Sequence, residues 1–383
     1  MTFAWPIAAL LGIVVALHGA QRQPVLRPLF HWLPVPLWCY LIPVSAVAVG
    51  WLPAGHPAYR ALTDRLLPFA LALLLLGVDL HAVLQAGRQA VIAMSAGALG
   101  IVLGAPLSVW ALQRLLPAQA WKGAGTLAGT WTGGTMNLLA LRSILQTPEG
   151  IFAPLVIVDA VIAYAWMALL VAASAVQPSI NGWLHAAAPA ARQQPQAPGR
   201  SSITRRAEVA CAVLAGGLAV LAQRAAMRLP ASQLISSSSG WTILLVTTAA
   251  LSLSLIPWIR RAGEAGARLG TSCLYAVLAA TGAQASLRAL WAAPVWIAVG
   301  LGAVLCHGVL LLLTGRCCRI PLGVLATASQ ANIGGVVSAP LVGAVYGRWL
   351  APVGLLLAVA GNAVGTYLGV LAASVSRLLI GSP

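Results

Sequence analysis

Asp159-Ala160-Val161-Ile162-Ala163-Tyr164 returns later in the chain as Asn362-Ala363-Val364-Gly365-Thr366-Tyr367. Ala160, Val161 and Tyr164 are matched in register by Ala363, Val364 and Tyr367. Each copy follows a polar, glycine-rich stretch set inside an apolar run. The first is Gly129-Thr130-Trp131-Thr132-Gly133-Gly134-Thr135-Met136-Asn137, and the second is Ser329-Gln330-Ala331-Asn332-Ile333-Gly334-Gly335. Gly77 and Gly282 keep nearly the same interval, about 203 residues, a little over half the chain. A chain written this way is two related halves. Where the setting is a bilayer, interrupted apolar segments at corresponding places in two halves point to the binding site of a secondary transporter.

Composition supplies the bilayer. The chain is 60% hydrophobic and 7% charged, with a mean hydropathy of +0.91, whereas a soluble domain carries roughly 25% charged residues. All the acidic residues are Asp64, Asp79, Glu149, Asp159, Glu208 and Glu264. The net charge of +16 does not mark a nucleic-acid partner, because the arginines stand singly between apolar runs. They suit lipid headgroups and positive-inside anchoring. Cys39, Cys211, Cys273, Cys306, Cys317 and Cys318 show no CxxC spacing, so neither a metal nor a disulfide framework is expected. Met1 enters an apolar segment without a basic leader, which reads as a first span rather than a cleaved signal. The expectation is an all-α, polytopic protein of a bacterial cytoplasmic (inner) membrane, not an enzyme. No GxSxG, HExxH or Walker loop is present.

Apolar segments lie near 3–20, 36–53, 66–85, 90–116, 121–146, 151–176, 207–230, 240–259, 270–287, 290–314, 320–346 and 350–376. They predict about 10 to 13 crossings. Residues 177–206, rich in proline, glutamine and arginine, read as a polar linker between a first repeat, 1–176, and a second, 207–383. Twelve full crossings would make the repeats parallel. An inverted arrangement needs an odd offset, which arises if 207–230, weakened by Arg224, does not cross fully, or if the linker hides a short crossing.

The interrupted segments carry the candidate chemistry. Three glycines and three threonines between Gly129 and Asn137 are poor helix material, each glycine costing roughly 1 kcal/mol relative to alanine. Unwound backbone inside a membrane is tolerated where it is buried in protein or lines a wet cavity. Thr132, Gly133, Gly134, Thr135 and Asn137, with Ser329, Gln330, Asn332, Gly334 and Gly335, therefore form the expected binding set. Free carbonyls with Thr and Asn oxygens suit a cation such as sodium. Exposed helix amino termini suit an anionic group. The competing reading is close helix packing through small residues, with side-chain hydrogen bonds between helices. Pro340, without an N–H, is expected to disturb its helix.

Asp159 lies near mid-depth in its apolar run, where a carboxylate is costly and marks an ion ligand, a proton carrier or a cap on the broken helix. Asn362 is its neutral counterpart, and Tyr164 and Tyr367 add hydroxyls. Asp79, beside His81 and Arg88 and equivalent to Gln284, reads as a surface ion pair or helix end. Arg142 either meets a substrate carboxylate or snorkels. His307, without an acidic neighbour in sequence, reads as a packing residue.

Thr132-Gly133-Gly134-Thr135-Met136-Asn137, Phe152-Ala153-Pro154, Val158-Asp159-Ala160-Val161, Tyr164 and Trp166 resemble the YjcL-like membrane proteins, a family catalogued mainly as a domain of unknown function. Ser329 to Gly335 and Gly361-Asn362 through Gly369 resemble its second half, so the likeness covers nearly the whole chain. The family is grouped with the cation:proton antiporter and anion transporter superfamily, whose relatives include bile acid:sodium and glutamate:sodium symporters. That resemblance implies inverted repeats with a broken, crossed helix in each. It also implies a core near 66–176 and 270–376, a scaffold from the remaining helices, elevator-type alternating access and a homodimer. The chain lacks the adjacent paired aspartates of sodium:proton antiporters, since Val158 precedes Asp159. The expected function is cation-coupled transport of a small anionic organic solute, with sodium or a proton as coupling ion, no other cofactor, and Asn137, Asp159 and Asn332 as sodium ligands. An ion:proton antiporter and a non-transporting sensor or scaffold are the alternatives.

Overall fold

The computed structural model describes residues 4–26, 30, 35–79, 87–186, 205–230, 235, 237–285, 293–347 and 349–381. Among these residues the regular structure is helical, with no strand. In chain order the helices are α1 (Ala4–Arg22), α2 (Val35–Ala48), α3 (Pro57–Leu75), α4 (Arg88–Ala111), α5 (Ala120–Gly133), α6 (Thr135–Leu145), α7 (Glu149–Ala173), α8 (Gln177–Trp183), α9 (Arg205–Ala226), α10 (Ser238–Ser254), α11 (Pro257–Gly282), α12 (Ala293–Cys318), α13 (Leu322–Ile333), α14 (Gly335–Tyr346) and α15 (Leu350–Ile380).

Five described helical segments are long and apolar enough to cross a bilayer: α4, α7 continued through α8, α9, α12 and α15. The halves of the two interrupted segments, α5 with α6 and α13 with α14, are each too short to span about 30 Å of hydrocarbon singly. The segment near 207–230 forms a continuous helix, α9, despite Arg224 in its last turn. A long side chain near a helix end can carry its charge to the interface.

Local chemistry moves several boundaries. The segment expected from residue 66 begins at Pro57, because His56 caps it by accepting the N–H of Ala58 and Pro57 occupies the first turn. Ser237 caps α10 by accepting the N–H of Gly240, and Pro257 opens α11. Pro340 lies inside α14 without ending it. Part of the expected linker is also ordered, since residues 177–183 form α8. The Asn181 Oδ1 accepts the N–H of Leu322 at 2.8 Å and so caps α13, whose own Pro321 offers no side-chain cap. Residues 187–204 of the linker lie outside the described residues.

The chain divides into two compact units. The first consists of Met1–Gly77, Arg142–Ala160 and Ile203–Pro294. Within it α11 lies against α3 through Gly77 and Gly263, where a Cβ at Gly77 would come 2.9 Å from the Gly263 carbonyl carbon. The turn between α6 and α7 is tied there by charge. Arg142 pairs with Glu149 at 2.6 Å, Tyr40 donates to the other carboxylate oxygen at 2.8 Å, and the guanidinium lies 4.6 Å from the Phe152 ring centre. Arg142 therefore stacks on an aromatic face and holds a carboxylate. Arg142→Ala is expected to lower stability by about 1–3 kcal/mol, read as a fall in melting temperature. Glu149→Gln should cost less, since it keeps an acceptor for Tyr40.

The second unit consists of Val78–Leu141, Val161–Ser202 and Val295–Pro383. Its apolar core joins α4, α12, α13 and α15 through Met94, Leu311, Leu325 and Leu357. Here α5 runs along α15 at glycine-to-glycine distance. Gly125, Gly129 and Gly133 recur every fourth residue on α5, as Gly361, Gly365 and Gly369 do on α15. Each set makes one smooth stripe on its helix. A Cβ on Gly365 would lie 2.6 Å from the Gly133 Cα, and one on Gly369 would lie 2.8 Å from the Gly125 carbonyl oxygen. The small-residue contact between helices is thus built into the first interrupted segment.

Candidate functional site

Both interrupted segments are broken, and each break is confined to a residue or two. Helix α5 runs to Gly133 and α6 resumes at Thr135, so only Gly134 is out of helix, at φ +73°. Helix α13 ends at Ile333 and α14 resumes at Gly335, whose φ of +71° again needs a glycine. The break expected within 129–137 falls at Gly134 alone, and the rest of the stretch is helical. Gly129 and Gly133 serve the close approach to α15, and that packing overrides their weak helix propensity. Thr132 is absorbed by its own helix, donating to the Ala128 carbonyl at 2.8 Å.

Asn137 closes the first break. It is fully buried. Its Nδ2 donates to the Gly133 carbonyl at 2.5 Å and to the Asn362 carbonyl at 3.2 Å, and its Oδ1 accepts from the Thr366 hydroxyl. A Cβ at Gly134 would stand 3.2 Å from the Asn362 Oδ1, so Asn362 overlies the break. The structure brings Gly133, Gly134, Asn137 and Asn362 together and adds Thr366. Every polar group of the Asn137 amide is used within the protein, which makes it a clasp between helices. Thr135 begins α6 and is partly buried.

The second break is different. Ser329, Gln330 and Asn332 are all buried on the last turn of α13. Asn332 donates through Nδ2 to the Met94 carbonyl on α4 at 3.1 Å. That partner only accepts, so it fixes which end of the amide points where. The Asn332 Oδ1 is then left without a hydrogen-bond donor among the described residues, as is the Gln330 Oε1, whose Nε2 donates to the Ser338 hydroxyl at 2.9 Å. A buried carbonyl left without a donor costs about 1–3 kcal/mol. Gly335 is buried, yet a Cβ there would meet nothing within 4 Å, so there is room at the break itself.

A hydrogen-bonded row runs behind this break. Trp166 on α7 donates its indole N–H to the Ser329 hydroxyl at 2.8 Å. His307 on α12 meets Ser329 through Nε2 at 2.8 Å and the Gly97 carbonyl of α4 through Nδ1 at 2.8 Å. His307, set aside at the sequence level as packing, is a member of the site. Only the fold could reveal its partners, which lie 210 and 22 residues away.

Asp159 is partly buried on α7 and falls in the first compact unit, whereas Asn137 and Asn332 belong to the second. Tyr164 packs against the cluster of Met167, Leu170, Ala326 and Val342. Tyr367 is 38% exposed on α15. Gln284, in the turn beyond α11, bonds back to the Ala280 carbonyl of that helix. Asp79 is partly buried beyond the end of α3, and its neighbour His81 lies outside the described residues.

The chain belongs to the family described as protein of unknown function (DUF819), whose family model matches residues 6–379. It is 24% identical over 342 residues to the uncharacterized membrane protein YjcL of Bacillus subtilis (strain 168), a match covering 84% of this chain and 85% of that protein.

Proposed function

We propose that this chain is a cation-coupled secondary transporter whose ion site lies at the second helix break, with Gln330 and Asn332 as oxygen ligands. The observation that carries the reading is the pair of buried amide oxygens without donors beside a broken helix. A hard cation such as sodium takes oxygen ligands of this kind, and irregular backbone at membrane depth is characteristic of ion and substrate sites. The first break, closed by Asn137, is the structural counterpart of the second. The amino termini of α6 and α14 begin at the breaks and favour a small anionic organic solute beside the cation. Both breaks belong to one compact unit, which suits an elevator-type cycle in which the site travels as a body. Placement in the cation:proton antiporter and anion transporter superfamily, with inverted repeats, is part of the same proposal.

The test is flux through proteoliposomes carrying the purified protein under an imposed sodium or proton gradient. Ion flux and uptake of a panel of radiolabelled carboxylates are read together. Gradient-driven accumulation of a carboxylate is expected, with a fall of about tenfold or more in Asn332→Leu. Ion exchange that is complete without any solute identifies an ion:proton antiporter instead. Vesicles as tight to sodium, protons and every solute as protein-free ones would contradict transport. In that case a sensor or scaffold remains.

A further inference from the structure

We propose that the end of the second compact unit where α4, α5 and α15 meet is a binding site for one anionic phospholipid. Arg114, Lys122 and Arg377 hold its phosphate, and the start of an acyl chain enters the cavity between the helix ends. The site lies at the far end of α5 from its break and holds whether or not the chain transports a solute.

The fold brings the three ends together. The glycine contacts pair Gly125 with Gly369 and Gly133 with Gly361, so α5 and α15 run antiparallel and the start of one meets the end of the other. Val109, in the last turn of α4, joins them. A cavity of about 290 Å³ opens there, walled by Val109, Leu116, Pro117 and Ile380, with Gln113 as a polar side chain in its lining. Small-molecule sites run from about 300 to 1,000 Å³, so this one takes a segment of chain and glycerol rather than a whole lipid. Trp110 and Leu115, each next in sequence to a wall residue, are exposed. An indole and an apolar side chain so placed suit the headgroup boundary of a bilayer.

The side-chain charge at this end has one sign. Arg377 stands one turn before Ile380 on the same face of α15. Arg114 falls between the lining residues Gln113 and Leu116, and Lys122 follows Ala120, another lining residue, by two. The Lys122 Nζ and the Arg377 guanidinium each lie 5.5 Å from the Trp121 ring centre. The indole thus gathers two cations at the junction of α5 and α15. A π face attracts a cation without cancelling its charge. Helices α4, α5 and α15 and the connection 112–119 contain no aspartate or glutamate. Basic residues gathered at a cavity between helix ends recognise the phosphodiester of an anionic lipid. A free phosphate would use the cations and leave the apolar walls to water. A zwitterionic lipid would fill the cavity but bring its own cation beside three others. Bound here, an anionic lipid bridges three helix ends and stabilises the α5–α15 contact.

The test follows the melting temperature of the purified full-length protein in detergent micelles as phosphatidylglycerol is added. Phosphatidylcholine with the same chains, and glycerol 3-phosphate alone, are the comparisons. Phosphatidylglycerol should raise the midpoint in a saturable way, and the other two should not. Lys122→Gln combined with Arg377→Gln should weaken the apparent lipid affinity about tenfold or more. Arg261→Gln, at an exposed position on α11, should leave it unchanged. Ala118→Trp, at an exposed residue of the cavity lining, keeps every charge and blocks the chain, so it should abolish the preference. That variant decides if the double variant does not fold. Indifference to phosphatidylglycerol, equal rises with both lipids, an equal loss in Arg261→Gln or a preference retained in Ala118→Trp would overturn the proposal. A rise reproduced by glycerol 3-phosphate at the same concentration would overturn it in favour of a soluble anion.

Discussion

Gly365→Val is expected to leave no folded protein. A Cβ at this position would lie 2.6 Å from the Gly133 Cα, 2.9 Å from the Gly129 carbonyl oxygen and 2.9 Å from the Asn137 Nδ2. Two of these neighbours are backbone and cannot rotate aside. Valine adds two further methyl groups, so α5 and α15 must separate along their contact. An overpacked core site ordinarily costs about 1–3 kcal/mol. Here the whole glycine stripe and the clasp at Asn137 are displaced together, against a total stability of about 5–15 kcal/mol for a folded domain. The readout is the monodisperse yield on size exclusion after detergent extraction. Gly12→Val on α1, where a Cβ would meet nothing within 4 Å, is the matched control and should behave as wild type. Normal yield and melting for Gly365→Val would mean that α5 and α15 do not meet through these glycines.

Asn137→Leu should be the second most damaging change. The replacement is close in volume but removes a donor and an acceptor that bridge Gly133, Asn362 and Thr366. It strands a buried hydroxyl and two carbonyls, and the expected loss is about 2–5 kcal/mol. Thr366→Val alone should cost less. Combined with Asn137→Leu it should add little, because one bond is shared between them. Additive losses in that cycle would show that the two side chains act independently.

The two damaging sites differ in how openly the sequence announces them. Glycine density and the repeated interval located both breaks within a few residues. They could not choose the single residue that leaves the helix, because the same glycines serve two purposes. Gly129 and Gly133 admit a neighbouring helix, while Gly134 and Gly335 supply the left-handed turn. The four-residue spacing on α5 and α15 was present to be read as a packing stripe. His307 carried no such signal: its partners are a backbone carbonyl, a serine and an indole, each on a different helix. Glu149, seven residues after Arg142, was a partner that spacing alone does not favour, because the pair forms only when the chain turns between α6 and α7. Asp159 stood out as a mid-membrane charge, yet the donorless oxygens belong to neutral Asn332 and Gln330, which the polar, glycine-rich second stretch had marked as candidates without showing which of their atoms would lack a partner.

The most direct test of the central claim is the melting temperature of the purified protein as sodium, potassium and pH are varied at constant ionic strength. Occupation of a native cation site by its ion should raise stability by about 2.7 kcal/mol at a hundredfold excess over the dissociation constant. One cation should therefore raise the wild-type midpoint in a saturable way. The rise should be lost in Asn332→Leu, with Asp159→Asn reporting whether that carboxylate takes part. A wild-type midpoint indifferent to sodium, potassium and protons alike would contradict the account.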